Sequence, residues 1–302
     1  MSCGKLPLPP GFFGSLQAAM PELPEVETIV RGLRARVLGR RISRVILRRS
    51  DILLSAPEDF AGELTSRKIA GAFRHGKYII IRLDRDDVHL PGKFLLIHLG
   101  MTGQMILAER NQVEPRHTHV VLALEDGRSE LRYADFRRFG RLALLDEDQL
   151  RSALRSLGPD PLRIRPRDFV ERLRKRRATI KAALLNQRVL RGLGNIYADE
   201  SLFRARIHPG RRAHRLRDKE LLRLHAAIGR ILRAAIARQG STVSNYVNLA
   251  GEAGSFQKLH KVYRRRGQPC PRCRTKIVRV VVTGRGSYCC PRCQRGSARV
   301  VL

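Results

Sequence analysis

Met20-Pro21-Glu22-Leu23-Pro24-Glu25-Val26-Glu27-Thr28 reads like the beginning of a protein and yet starts at the twentieth residue. Beyond Pro24, the residues Val26, Ile29, Val30, Leu33 and Val37 recur at helical spacing, and Gly39 supplies a stop, so a buried amphipathic helix opens the fold. Glu25 and Glu27 fall in its first turn, where they complement the helix dipole. Position decides the chemistry of Pro21. An internal proline has a tertiary amide nitrogen, whereas an amino-terminal proline is a secondary amine with a pKa of about 8. Such an amine attacks a sugar aldehyde carbon, and Glu22 beside it completes the minimum pair for covalent and acid-base catalysis. Residues 1–19 carry one basic residue and a proline-broken apolar stretch, a poor signal or transit peptide. They read as an extension outside the core, either disordered or upstream sequence from a misassigned start, and the working protein is expected to lack them.

Charge points to the partner. With 60 Lys+Arg against 27 Asp+Glu the formal net charge is +33, spread along the 302 residues, which favours a polyanion and by default nucleic acid. No apolar run approaches the roughly 20 residues of a membrane-spanning helix, which argues against a membrane partner. Four of the six cysteines crowd between Cys270 and Cys293, which suits a reducing cytoplasm better than a disulfide framework. Cys3 and Cys289 are left over.

Working outward from the first helix, short β runs follow at 44–47, 77–83, 94–99, 119–124 and 141–145, with Glu125-Asp126-Gly127 as a hairpin turn. Strands at this density predict a sandwich of two sheets with the first helix alongside. Leu157-Gly158-Pro159-Asp160-Pro161-Leu162 is a joint, after which helical periodicity runs through 169–174, 179–185, 196–203 and 219–237. Between two of these helices, Arg191-Gly192-Leu193-Gly194-Asn195 allows close backbone approach and presents free N–H groups, a place for a phosphate or an ordinary turn.

Cys270-Pro271-Arg272-Cys273 and Cys290-Pro291-Arg292-Cys293 are two Cys-x-x-Cys knuckles with the spacing of a four-cysteine zinc ribbon. Four thiolates close the tetrahedron, so one structural zinc is expected, with Cys289 a competing ligand that breaks the symmetry of the knuckles. Between them a β-hairpin carries Arg285 at its tip, where an arginine grips a phosphate or is simply solvated.

In order, these motifs resemble the bacterial formamidopyrimidine-DNA glycosylases. The resemblance runs from Met20 to about Arg295 and rests on the PELPEVET opening, His75-Gly76-Lys77-Tyr78, His98-Leu99-Gly100-Met101-Thr102-Gly103, Asp135 to Gly140 (DFRRFG), the LGPDPL joint, GLGNIYADE at 192–200 and the VYRRRGQPC run into the ribbon. It implies an α+β chain with an N-terminal β-sandwich catalytic domain (20–150), a helix-two-turn-helix domain (151–258) and a zinc ribbon (259–302). It also implies a bifunctional enzyme that excises oxidised purines from double-stranded damaged DNA and then cuts the strand. In that scheme Pro21 attacks the sugar, Glu22 moves protons, and Lys77 and Arg285 assist the two eliminations. Met101, Arg137 and Phe139 fill the duplex after the base is extruded, Asn195 and Arg285 hold phosphates, and His117 contacts DNA. The loop over the extruded base falls near 241–255. The chemistry implied needs no small-molecule cofactor, and a cytoplasmic, nucleoid-associated monomer is expected.

Two other readings compete. Relatives of the endonuclease VIII type prefer oxidised pyrimidines, but they usually begin Pro-Glu-Gly-Pro-Glu, whereas Leu23 and Val26-Glu27-Thr28 fit the purine-directed branch. A chain whose Pro21 stays blocked would be a non-catalytic damaged-DNA-binding protein.

Overall fold

The structure, a computed structural model, describes residues 20–54, 57–84 and 92–296; the 1–19 extension with Cys3 lies outside them. Helix α1 (Leu23–Arg36) starts where Pro24 occupies the first turn, and it buries Leu23, Val26, Ile29, Val30 and Leu33. Beyond it, Gly39 turns the chain with φ +83°, a conformation that costs a glycine little.

Eight strands follow: β1 (Ile42–Leu47), β2 (Lys68–His75), β3 (Tyr78–Asp84), β4 (Lys93–His98), β5 (Gly103–Glu109), β6 (Thr118–Leu124), β7 (Ser129–Asp135) and β8 (Arg141–Leu145). They form two four-stranded sheets, ordered β1-β6-β7-β5 and β2-β3-β4-β8, and every pairing is antiparallel. Ile79, Ile81, Leu95 and Ile97 of one sheet and Val120, Leu122, Leu131 and Tyr133 of the other share one core with the apolar stripe of α1. This is the sandwich with a flanking helix that the sequence predicts. At the β6–β7 hairpin Asp126 Oδ1 accepts the N–H groups of Arg128 and Ser129, and Gly127 takes φ +68°. Strands β2, β5 and β7 were not legible as β runs. Gly71 in β2 and charged residues in β7 dilute the alternation there, and the sheets bury Gly71, Glu130, Arg132 and Asp135 regardless.

Short helices α2 (Pro57–Leu64) and α3 (Glu147–Leu154) flank the sandwich. The second half contains α4 (Pro166–Arg174), α5 (Ile180–Leu185), α6 (Asn195–Arg204) and α7 (Asp218–Ala237) around their own core. In α7, Leu221, Leu224, Ile228, Leu232 and Ala235 lie on the buried stripe expected of a 3.6-residue period. The last hairpin, β9 (Val278–Val282) with β10 (Arg285–Cys289), stands on the knuckles.

The halves are clamped through Arg74. Its guanidinium donates to Glu27 of α1 at 2.8 Å and to Asp160 of the joint at 2.7 Å, with all three side chains largely buried. Removing one partner of such a buried network costs about 3–5 kcal/mol, because a charge is left uncompensated.

Candidate active site

Pro21 and Glu22 are buried where α1 meets the start of α6. The Glu22 carboxylate accepts N–H groups from Gly194 at 2.7 Å, Ile196 at 2.9 Å and Tyr197 at 3.4 Å. The positive end of a helix in the second half therefore holds a side chain of the first. Gly194 is required here: a Cβ at this position would overlap the Glu22 carboxyl group. Burial pushes the Glu22 pKa up to about 7, against Lys77, which lowers it, and with Glu25, which raises it. A carboxyl group shifted to that range is one that can both donate and accept a proton near neutral pH.

Glu25 does more than complement a dipole. Buried beneath Glu22, it accepts the N–H of Glu22 at 2.8 Å, the N–H of Ser241 at 2.7 Å and the hydroxyl of Tyr197. Burial raises its pKa, and those hydrogen bonds oppose the rise. Nothing in the local spacing distinguishes it from Glu27, because two of its three partners lie more than 170 residues away in sequence.

Lys77, Arg285, Arg188 and Arg191 line a cleft of about 410 Å3 between the two halves, together with Met20, Tyr78 and His98. Lys77 is 8% exposed, and its ammonium has no hydrogen bond or ion pair among the described residues. Burial lowers its pKa, Glu22 raises it and Arg285 lowers it further. Such a cation gains from an arriving phosphate. His98, quoted in a motif but given no role from sequence, packs on Tyr78 with ring centroids 5.0 Å apart and accepts the Gly100 N–H through Nδ1 at 3.2 Å. Burial, Lys77 and Arg141 hold its pKa down to about 4, so it stays neutral in this cationic cleft.

Asn195 opens α6 and donates through Nδ2 to the Gly286 carbonyl at 3.0 Å, which places it against the hairpin tip carrying Arg285. The same carbonyl takes the Lys181 ammonium at 3.1 Å, while Asp199 pairs with Lys181 at 2.7 Å and accepts the Tyr288 N–H at 2.9 Å. The glycine turn and the hairpin, remote in sequence, are thus joined.

Met101, Arg137 and Phe139 come together on two adjacent turns. The Arg137 guanidinium lies 4.6 Å from the centroid of the Phe139 ring and 3.7 Å from the Met101 sulfur. Phe139 is 38% exposed, whereas Met101 is buried. His117 stands exposed before β6, its ring 5.0 Å from that of Phe136, which is 64% exposed and had no role in the sequence reading.

The 241–255 loop is tied down at several points. Besides the Ser241 anchor, Thr242 Oγ1 donates to the Tyr246 carbonyl at 2.9 Å, and Tyr246 is buried against α1 with its hydroxyl on the Glu25 carbonyl oxygen at 3.3 Å. Between the loop, Pro21 and Met101 only about 10 Å3 remains. That is no more than room for one water.

The Sγ atoms of Cys270, Cys273, Cys290 and Cys293 lie within 4.8 Å of one another. Pairs at 3.4 Å and 3.9 Å bracket the roughly 3.8 Å edge of a tetrahedron with Zn–S bonds of about 2.3 Å. The donor set and its geometry fit a structural zinc. Cys289 is outside this cluster, packed with Val280 and Val282, and burial pushes its thiol up to about 12.

Fold and site together define a DNA-binding enzyme with a four-cysteine zinc site, built around the buried neighbours Pro21 and Glu22. Residues 20–142 match the formamidopyrimidine-DNA glycosylase N-terminal domain, 157–247 the H2TH domain of the same enzymes, and 267–296 the zinc finger found in FPG and IleRS. The chain belongs to the formamidopyrimidine-DNA glycosylase family. It is 44% identical to the formamidopyrimidine-DNA glycosylase of Solibacter usitatus over 91% of this chain and 100% of that protein. For the Geobacillus kaustophilus enzyme the identity is 45%, with the same coverage. The Lactococcus lactis Fpg complexed with DNA containing an abasic site superposes with a TM-score of 0.84 at 36% identity, covering 91% of this chain and 100% of that one.

Proposed function

We propose that this chain performs base-excision repair by removing oxidised purines from double-stranded DNA and cutting the strand at the resulting abasic site. The observation that carries the reading is the Glu22 carboxyl group, adjacent to Pro21, held by the α6 N-terminus and poised to titrate near pH 7. Pro21, as the amino terminus of the active form, attacks C1′ through its amine nitrogen. The C1′–N bond to the damaged base breaks, the base leaves with a proton, and Glu22 protonates the sugar ring oxygen as the ring opens to the iminium. That iminium draws electrons from the adjacent C2′–H bond. Loss of this proton expels the 3′ phosphate oxygen, and a second elimination expels the 5′ one.

Lys77 and Arg285 face the strand as phosphate contacts that stabilise those departures, and Asn195 holds a flanking phosphate beside them. Met101, Arg137 and Phe139 enter the duplex when the base leaves, Arg137 meeting the orphaned cytosine, and His117 contacts the backbone. Cys270, Cys273, Cys290 and Cys293 hold zinc, whose role is to fold the ribbon. The enzyme acts as a monomer at the bacterial nucleoid in the cytoplasm, and among the described residues no helix is long and apolar enough to cross a membrane.

The test is borohydride trapping on a duplex with 8-oxoguanine opposite cytosine, using protein whose amino terminus has been measured by intact mass. Protein beginning at Pro21 is expected to form a covalent adduct, and protein in which Pro21 remains an internal amide is not. No adduct from the Pro21 form would sink the mechanism. A duplex carrying thymine glycol, run in parallel, separates purine from pyrimidine preference.

A further inference from the structure

A second cationic surface lies at the far end of the ribbon. Arg206, Arg211, Arg272, Arg292 and Arg295 line a groove of about 620 Å3 beside Cys273 and Cys293, and no carboxylate lines it. The groove is built from two elements locked together: the buried Gln294 side chain donates to the Ile207 carbonyl at 2.9 Å and accepts the Cys290 N–H at 3.0 Å. Arg272 forms the floor, donating to the carbonyls of Phe203 at 2.8 Å and Arg204 at 3.2 Å, with its guanidinium 4.4 Å from the Phe203 ring centroid. The side chains of the exposed residues Arg206, Arg292 and Arg295 make no hydrogen bond or ion pair among the described residues.

Local neutralisation does not account for this charge. Zinc held by four thiolates leaves two negative charges, and Glu220 pairs with Arg211, so five guanidinium groups face three negative charges. The excess also stands apart from Arg285. Arg285 begins β10 and Cys289 ends it. At about 3.3 Å per residue the knuckles stand about 13 Å beyond the tip.

We propose that this groove binds the phosphate backbone of a second DNA segment while the cleft holds the first, so that the enzyme passes between segments without a free intermediate. The proposal rests on the reading that the first duplex lies along Lys77, Asn195 and Arg285. Nucleic acid is favoured over an acidic protein because the groove is lined by guanidinium groups and cysteines without an apolar centre. Protein interfaces bury such a centre, whereas backbone recognition of DNA needs only forked donors on phosphates.

The experiment uses zinc-loaded protein beginning at Pro21, bound to a labelled duplex with a tetrahydrofuran abasic analogue, and follows its dissociation as undamaged duplex is added. The dissociation rate is expected to rise in proportion to competitor concentration. In the triple variant Arg206→Ala, Arg292→Ala, Arg295→Ala that slope is expected to fall at least about five-fold, with its salt exponent reduced by about 0.9 for each phosphate contact removed. Dissociation without competitor, zinc content and single-turnover excision should match the parent. A competitor-independent rate in the parent, or an undiminished slope in the variant, overturns the proposal. Polyglutamate that accelerates release as well as duplex does, at equal charge, overturns the assignment to nucleic acid. Failure of the parent to excise 8-oxoguanine at all is a separate result, and it would count against the repair reading alone.

Discussion

The backbone N–H of Ser241 donates to Glu25 Oε1 at 2.7 Å, which ties the 241–255 loop to α1, the helix that Glu22 caps. Glu25 also accepts the Glu22 N–H, so one buried carboxylate sets both the floor and the cover of the site. Glu25→Gln turns one acceptor oxygen into a donor that faces other donors. A loss of about 1–3 kcal/mol of folding stability is expected. Excision of an intact lesion should suffer more than strand cleavage at a preformed abasic site, because only the former needs the loop to hold a base. Equal losses in both assays would contradict this division.

The pH dependence follows from Glu22. Its carboxyl has a pKa of about 7 in the folded state against 4.5 unfolded, so between these values the folded protein holds a proton that the unfolded chain releases. The slope of unfolding free energy with pH is then negative, and this contribution to stability is lost as pH rises from 4.5 through about 7. Urea midpoints across that window should decline in the parent and decline less in Glu22→Gln. Base excision by the parent is expected to peak between about 7 and about 8, where protonated Glu22 and free Pro21 amine overlap most. The Glu22→Gln protein should bind damaged duplex and fail to release the base.

Lys77→Met keeps the length of the side chain and removes the charge. With no ion pair to break in the free protein, stability should hold or rise slightly, since an unpaired buried ammonium is costly. Single-turnover excision should drop by about 10²-fold, the usual loss when one preorganised electrostatic contact is removed. A normal rate in the variant would remove Lys77 from the reaction.

Phe139→Ala tests the wedge. Its ring is 38% exposed and stacks on Arg137, so folding stability should change little. Affinity for a lesion-bearing duplex should fall by about 1–3 kcal/mol, the loss typical of one aromatic–base contact. Arg137→Ala, assayed against each base opposite the lesion, should flatten the preference for cytosine.

Zinc removal should act at a distance. Chelation is expected to unfold the ribbon, which releases Arg285 and frees the Gly286 carbonyl from Asn195 and Lys181. Duplex affinity should then collapse while the sandwich keeps its near-native circular dichroism. Tight binding after verified zinc loss would contradict the role given to the hairpin.

The sequence disclosed those parts of the molecule whose cause is local. The α1 stripe, the Asp126-Gly127 turn and the two knuckles each depend on neighbours a few residues away, and each stands where its spacing places it. Glu25 illustrates the other class. Its partners Tyr197 and Ser241 arrive through tertiary folding, and its environment has no signature in a nine-residue window. Strand β7 was missed for a related reason: Glu130 and Arg132 look like surface residues, but the two pair with each other inside the sheet and satisfy their charge there. The family resemblance supplied roles for Met101 and Phe139 that β periodicity assigns to a core, and the turns in which they sit are where that periodicity stops.

The oxygens of Glu22 that hold the Gly194 and Ile196 N–H groups are the same atoms expected to shuttle protons at the sugar. Proton shuttling and the docking of the two halves therefore draw on a single functional group. A molecule whose halves have come apart has lost its acid as well as its grip, so it cannot damage DNA it has failed to grasp. Under the roles proposed for Glu22, assembly is a built-in safety catch on the chemistry.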